Sequence, residues 1–453
     1  MYCIPGASTL RWAPRGVWLG LLLGLSSLFF QPAQIVRQAD SFYEQETPEC
    51  ARAKKLESPA EQRRAHLAKL GIERWHRQSR RGQGVKIAIL DSGFRDYRQF
   101  LGKGLPAKVT VRSFRKDQNL EARDSQHGIL CGEVLHALAP EAELLLANWE
   151  TDDSQAFLNA VRWAKAEGAN IISCSLIMPS WSDGEGGGEV HRSLQQVLGD
   201  GRSARDVLCF ASAGNLAERH WCGDFAPNDQ GWHRWKEGVT QNVLTPWGDT
   251  RVAVEFYSRV HSAYEIQVMH ERTGKLAGKA VLQMDATKTC GRAQVRFEPE
   301  ADSAYHLRVR CLEDRAGSKP EAFHVVVLGG SLECTTSRGS IPFPGDGASV
   351  YAVGAVDAQT QRAAYSSCGP NSSQPKPDFV ATVPFPSLCR QHPFSGTSAA
   401  APQAAGLAAL LWSHYPCLTP NQIHQKMRET ALDLGPPGHD YDTGYGLIRL
   451  PPP

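Results

Sequence analysis

The chain has 453 residues, 42% of them hydrophobic, which is enough for more than one buried core and points to two or three domains. Its 49 Lys and Arg stand against 47 Asp and Glu, a formal charge of +2. No basic stretch is long or interleaved with aromatics, so nucleic-acid binding is excluded as a class and no such partner is expected.

Residues 1–33 read as a secretory signal. Arg11 and Arg15 precede the apolar run 17–30, which is too short to span a bilayer comfortably. Cleavage would follow Ala33, but Gln31 stands where a small residue is preferred, so a membrane anchor is the alternative to a freely secreted chain. Export permits disulfides. Twelve cysteines, less Cys3 in the signal, leave an odd number, so at least one thiol is expected to be free or intermolecular. Cys131, Cys174 and Cys209 fall in predicted core elements and read as buried small apolar side chains. No Cys-x-x-Cys pair supports zinc, and no metal ligand or cofactor is expected.

Residues 34–65 are polar and charged, an extension or short pro-segment, with an amphipathic helix predicted from Ser58 to Leu70. Arg80-Arg81 reads as a solvated turn or a processing point. From Gly84 the pattern alternates strand and helix. Strands are predicted at Val85–Leu90, Glu143–Ala147, Asn170–Leu176 and Asp206–Ala211, and helices at Gly128–Leu138 and Gln155–Glu167. This is the signature of an α/β fold, a parallel sheet with helices on both faces. Asp91 closes the first strand, at the carboxyl mouth where such sheets place their sites. His127 stands at the entrance of a helix, with Gly128 allowing close backbone approach. The glycine-rich, acidic loop Asp183–Glu189 either borders a cleft or is simply solvated.

The strand before Ser212-Ala213-Gly214-Asn215 runs into a tight turn of small residues, which can aim the Asn215 amide at an oxygen that becomes negative during acyl transfer. Five segments with β-like alternation follow, at Arg251–Ser258, Tyr264–Glu271, Ala293–Phe297, Tyr305–Leu312 and Phe323–Leu328. They predict an inserted antiparallel β-sandwich-like module over 221–339. Trp221, Trp232 and Trp235 serve its core or a ligand, and the module would bind substrate, carbohydrate or a cell surface, or brace the fold. In Phe394-Ser395-Gly396-Thr397-Ser398-Ala399-Ala400-Ala401-Pro402 small residues crowd one serine ahead of an Ala-rich helix. Ser398 would lie in the first turn, where unpaired N–H groups and the helix dipole favour developing negative charge, and a neighbouring base would make it a nucleophile.

Asp91-Ser92-Gly93, His127-Gly128, Ala211-Ser212-Ala213-Gly214-Asn215 and Gly396-Thr397-Ser398-Ala399-Ala400-Ala401-Pro402 occur in the chain order of the subtilisin-like serine proteases, which this sequence resembles over 66–220 and 340–450. Ile129 departs from the threonine usual after His-Gly. The resemblance implies an endopeptidase with a protein or peptide substrate. Asp91, His127 and Ser398 would be its triad and Asn215 its oxyanion donor, with Ser175, Leu176, Ser212, Ala213 and Gly214 contacting substrate. Ser175 and Leu176 can also be ordinary core strand. It further implies an N-terminal propeptide, for which the space between Ala33 and Gly84 is short. The rival reading is a secreted binding protein that uses a protease-like scaffold to present the module. A structural calcium site has no legible signature.

Overall fold

The computed structural model describes residues 58–248, 250–259, 261–282, 290–314, 317, 321–371 and 374–453; the expected signal and residues 34–57 of the N-terminal extension lie outside them. Helix α1 (Pro59–Lys69) starts where its sequence says it should. Ser58 and Glu61 form a reciprocal capping box, and Pro59 occupies the first turn, where its missing N–H costs nothing. The residues that α1 buries are polar rather than the apolar face of an amphipathic helix. Arg63 and His66 are buried, Arg63 in an ion pair with Glu133 at 2.7 Å and His66 against Gln403 at 2.8 Å. Helix α2 (Ile72–Arg77) follows and buries Ile72 and Trp75. Arg80 lies over the Trp75 ring, and Arg81 faces Glu141.

Strands β1 (Lys86–Leu90), β2 (Thr110–Ser113), β3 (Glu143–Asn148), β4 (Ile171–Cys174) and β5 (Leu208–Ser212) alternate with helices α3 (His127–Leu138), α4 (Ser154–Ala166) and α5 (Glu189–Leu198). Helix α5 was not anticipated. The loop before it is anchored rather than solvated: Asp183, fully buried, accepts from the Glu185 and Gly187 amides and pairs with Arg259.

The chain then builds β6 (His220–Asp224), β7 (Asn242–Pro246), β8 (Val252–Ser258), β9 (Ala263–His270), β10 (Leu276–Leu282), β11 (Gly291–Phe297), β12 (Tyr305–Glu313), β13 (Ala322–Leu328) and β14 (Gly330–Leu332). These form two antiparallel sheets, β10-β9-β12-β7-β14 and β11-β8-β13-β6. Alternate residues face inward, with Val252, Val254 and Phe256 on one strand and Phe323, Val325 and Val327 on another, sharing a single apolar core. Trp221 and Trp235 are buried in that core, and Trp232 lies beneath Arg308, so the module offers no platform of three exposed tryptophans.

The chain returns through β15 (Tyr351–Val356) and β16 (Phe379–Thr382) to α6 (Thr397–His414) and α7 (Pro420–Thr430). The main sheet is wholly parallel, in the order β16-β15-β5-β4-β1-β3-β2. One core lies under α1, α2, α3 and α6, the other under α4 and α5. The strands are accordingly near-continuous in apolar residues, as burial on both faces demands. Successive strands switch sides at β1, which opens a crevice at the carboxyl ends of β1 and β4. The ten cysteines of the described residues are free thiols, and Cys131, Cys174 and Cys209 are buried as expected. Among the described residues no helix is long and apolar enough to cross a membrane.

The Arg63–Glu133 pair fastens α1 to α3, and Glu133 also accepts from Ser387 Oγ and the Leu388 amide. Arg63→Ala leaves that carboxylate buried without its cation and is expected to cost about 3–5 kcal/mol. The double variant Arg63→Met/Glu133→Gln should regain most of it, as read from urea unfolding monitored by tryptophan fluorescence.

Candidate functional site

Asp91 is the first residue past β1, and its side chain is closed to solvent. Oδ1 accepts from the Ser92 and Gly93 amides at 2.8 and 3.1 Å, and Oδ2 lies 2.7 Å from His127 Nδ1. A carboxylate only accepts, so Nδ1 carries the proton and the neutral ring keeps its lone pair on Nε2. His127 opens α3, where the Ser125 hydroxyl accepts from its amide at 3.2 Å, and the Phe394 ring meets the imidazole edge-on. The approach of α3 to the strand end depends on Gly128. A Cβ there would stand 2.5 Å from the Phe94 ring and 2.9 Å from Asp91 Cβ.

Ser398 is the second residue of α6. Its Oγ lies 3.3 Å from the Ser175 carbonyl oxygen, and Ser175 Oγ donates to the Ser398 carbonyl at 3.1 Å. That carbonyl needs an outside donor because the residue four positions on is Pro402, which has no N–H to give it. The proline thus ties the helix start to the segment leaving β4.

Asn215 follows β5 and its tight turn. Its Oδ1 accepts from both the amide and the hydroxyl of Thr397, at 3.0 and 2.8 Å, and Thr397 Oγ1 in turn accepts from the Gly214 amide at 3.2 Å. With the oxygen end held twice, the side chain can only present Nδ2, a donor, on its other side. Thr397 escaped the sequence reading, although its place directly before the serine was a usable signal.

The structure brings Asp91 and His127 into direct contact and sets Ser398 and Asn215 on adjoining elements joined by Thr397. Ser175 packs against Ser398, while Leu176 is half-buried against the second core. The edge expected of this strand is narrower than the sequence suggested. Within Ile171–Cys174 both sides are taken, by β1 and β5, so an open edge begins only at Ser175. Ser212 ends β5 in the core, Ala213 donates to the Val353 carbonyl, and Gly214 points its amide at Thr397.

Cys131, one turn beyond His127, brings its thiol to 3.8 Å from both Asp91 Oδ2 and the Ser398 carbonyl. Burial, reinforced by the Asp91 charge, pushes this thiol well above its ordinary range, so it stays protonated and is a poor rival nucleophile.

A subtilase family model matches residues 314–446, a stretch that holds Ser398 and Thr397 but neither Asp91, His127 nor Asn215. Over that stretch the chain is similar to the subtilase family. Subtilisin DY of Bacillus licheniformis is 36% identical over 126 residues, 28% of this chain and 44% of that protein. A thermostable alkaline protease of Halalkalibacterium halodurans is 40% identical over 114 residues, 25% of this chain and 30% of that one. The matches therefore span less than half the length of these relatives. The structure of the Clostridium perfringens CspB protease superposes with a TM-score of 0.61 at 15% identity, over 85% of this chain and 95% of that one, and establishes the subtilisin-like fold.

The tight seat of helix α3 is testable. Gly128→Ala must displace the Phe94 ring or the helix, an overpacking change expected to cost about 1–3 kcal/mol. A lowered thermal midpoint by calorimetry is the expected result; an unchanged midpoint would mean that Phe94 yields freely.

Proposed function

We propose that this chain is an exported serine endopeptidase that hydrolyses peptide bonds of protein or peptide substrates through an acyl-enzyme. The observation that carries the reading is the Asp91–His127 contact at 2.7 Å, which closes on Nδ1 and leaves Nε2 as the basic nitrogen of the ring. In this reading Nε2 takes the Ser398 hydroxyl proton as Oγ attacks the scissile carbonyl, then passes it to the leaving amine. Asp91 holds the tautomer and stabilises the imidazolium. Asn215 Nδ2 and the backbone N–H groups at the start of α6 bind the oxyanion, helped by the helix dipole.

An extended substrate would lie along Ser175 and Leu176, with Ser212, Ala213 and Gly214 on its far side. The clamp on Asn215 favours an enzyme over a presenting scaffold, since a scaffold has no use for an amide held with its donor end outward. Export rests on residues 1–33, whose charge and apolar pattern suit a signal.

A fluorophosphonate probe is expected to label Ser398 in the wild-type protein and to label nothing in Ser398→Ala. Loss of Ser398 should reduce turnover on the order of a millionfold. Asn215→Ala should lower kcat about a hundred to a thousandfold with little change in KM, the size expected for one oxyanion donor. Thr397→Val keeps one of the two bonds to Asn215 and should show a smaller loss of the same kind. Labelling at a residue other than Ser398, or peptide hydrolysis by Ser398→Ala at the parental rate, would overturn the assignment.

A further inference from the structure

The face of β6 and β13 turned away from the sandwich core carries chemistry that peptide hydrolysis does not use. His220 and Cys222 lie two residues apart on β6, so both point to one side, and Cys222 pairs directly across the ladder with His324 on β13. One ligating atom from each lies within 4.8 Å of the other two. His220 and His324 are buried; Cys222 is partly open to solvent. We propose that His220 Nε2, Cys222 Sγ and His324 Nδ1 bind a zinc ion that clasps the inserted sandwich to the parallel-sheet domain.

The hydrogen bonds around the three residues argue for a cation between them. His220 Nδ1 stands 2.8 Å from the Thr336 carbonyl oxygen, which only accepts, so Nδ1 carries the proton and Nε2 is a lone pair. That lone pair faces His324 Nδ1 at 3.0 Å, and His324 Nε2 faces the Glu185 carboxylate at 3.7 Å. His324 in its neutral form has one proton for two acceptors. If it serves Glu185, two nitrogen lone pairs oppose each other; if it serves His220, a lone pair faces a carboxylate. A positive ion among the three atoms removes the conflict. The sulfur of Cys222 selects a soft metal over a proton.

The surroundings have the form of a metal site's outer layer. One histidine is fixed by a carbonyl at 2.8 Å, and the other has a carboxylate 3.7 Å from its far nitrogen, groups of the kind that orient imidazole ligands. Two imidazoles and one thiolate with a fourth position for water suit zinc. Tetrahedral zinc sets its nitrogen and sulfur ligands about 3.3–3.6 Å apart, so closure asks the two rings to separate slightly from 3.0 Å and the Cys222 thiol to turn from the Arg338 carbonyl and the Thr336 hydroxyl. No motif announces the site, because 102 positions separate Cys222 from His324 and only the β6–β13 ladder joins them. Glu185 comes from the loop before α5, so an ion here would connect the insert to the main domain.

The test is metal binding by the purified full chain. The wild-type protein, loaded with zinc and dialysed, should retain one equivalent, and loading with cobalt instead should give a thiolate-to-cobalt charge-transfer band. Cys222→Ser, at a partly exposed position where folding should survive, should lose the band and weaken zinc binding by more than the ~10–100-fold typical of losing an outer partner. Cys131→Ser controls for the other cluster of possible ligands, Asp91, His127 and Cys131, and should keep the band. Fluorophosphonate labelling of Ser398 by Cys222→Ser should persist, which separates this site from the proposed peptidase activity. No retained zinc in the wild type, or a band lost in Cys131→Ser and kept in Cys222→Ser, would overturn the proposal.

Discussion

The candidate site depends on how closely two helices can pass over the end of one parallel sheet. Helix α3 supplies His127 and α6 supplies Ser398, and both begin at the carboxyl ends of the strands. Their approach is set by side chains that are barely there. Residues 399–401, 404, 405, 408 and 409 of α6 are all alanine and fully buried, and a Cβ on Gly406 would stand 2.8 Å from Leu138 Cβ at the far end of α3. A larger residue at position 406, or at an alanine facing α3, would push the two helices apart, and one facing the sheet would lift α6 from the strand ends. The Ala-rich run is thus a distance constraint as much as a helix-forming signal.

A second constraint acts across the helix start. Pro402 removes the donor that would have closed the Ser398 carbonyl into the helix, and Ser175 supplies one from the segment leaving β4. Thr397 meanwhile holds Asn215, which leaves β5. The first two residues of α6 are therefore stitched to two strand ends, and the third, that of β1, carries Asp91. Three neighbouring strands and two helices fix four side chains without any of them lying on a long loop.

Much of this was legible in the sequence because it is local. Apolar β-branched runs ending in Asp91 or in the turn before Asn215 mark buried parallel strands, and the small residues around Ser398 mark a crowded helix start. Residues joined only through the fold were not legible. Thr397 acts through a hydrogen bond spanning 182 positions, and Arg63 reaches Glu133 across 70. Helix α5 and strands β6, β7, β10 and β14 escaped for a different reason. Strand β10 is largely exposed and interrupted by Gly278, β14 has three residues, and β6 mixes histidine, cysteine and glycine, so none shows the clean alternation of a half-buried strand.

The sandwich bears on the site more directly than an appended module would. Tyr257 and Val326, on its β8 and β13, bury themselves against Leu216, with Ile177 packed beside them. Leu216 follows Asn215 in the chain, and Ile177 follows Leu176. The sheet face that carries His220, Cys222 and His324 therefore continues into an apolar contact one residue from Asn215 and one residue from Leu176. Asn371 closes the same seam, its amide nitrogen donating to the carbonyls of Gly184, Gly339 and Ile341. Because packed interiors shift as units rather than deform smoothly, a movement of the sandwich is bound to reach Asn215 and Ser175. The insert is thus packed against the segments leaving β4 and β5, directly beside Leu176 and Asn215.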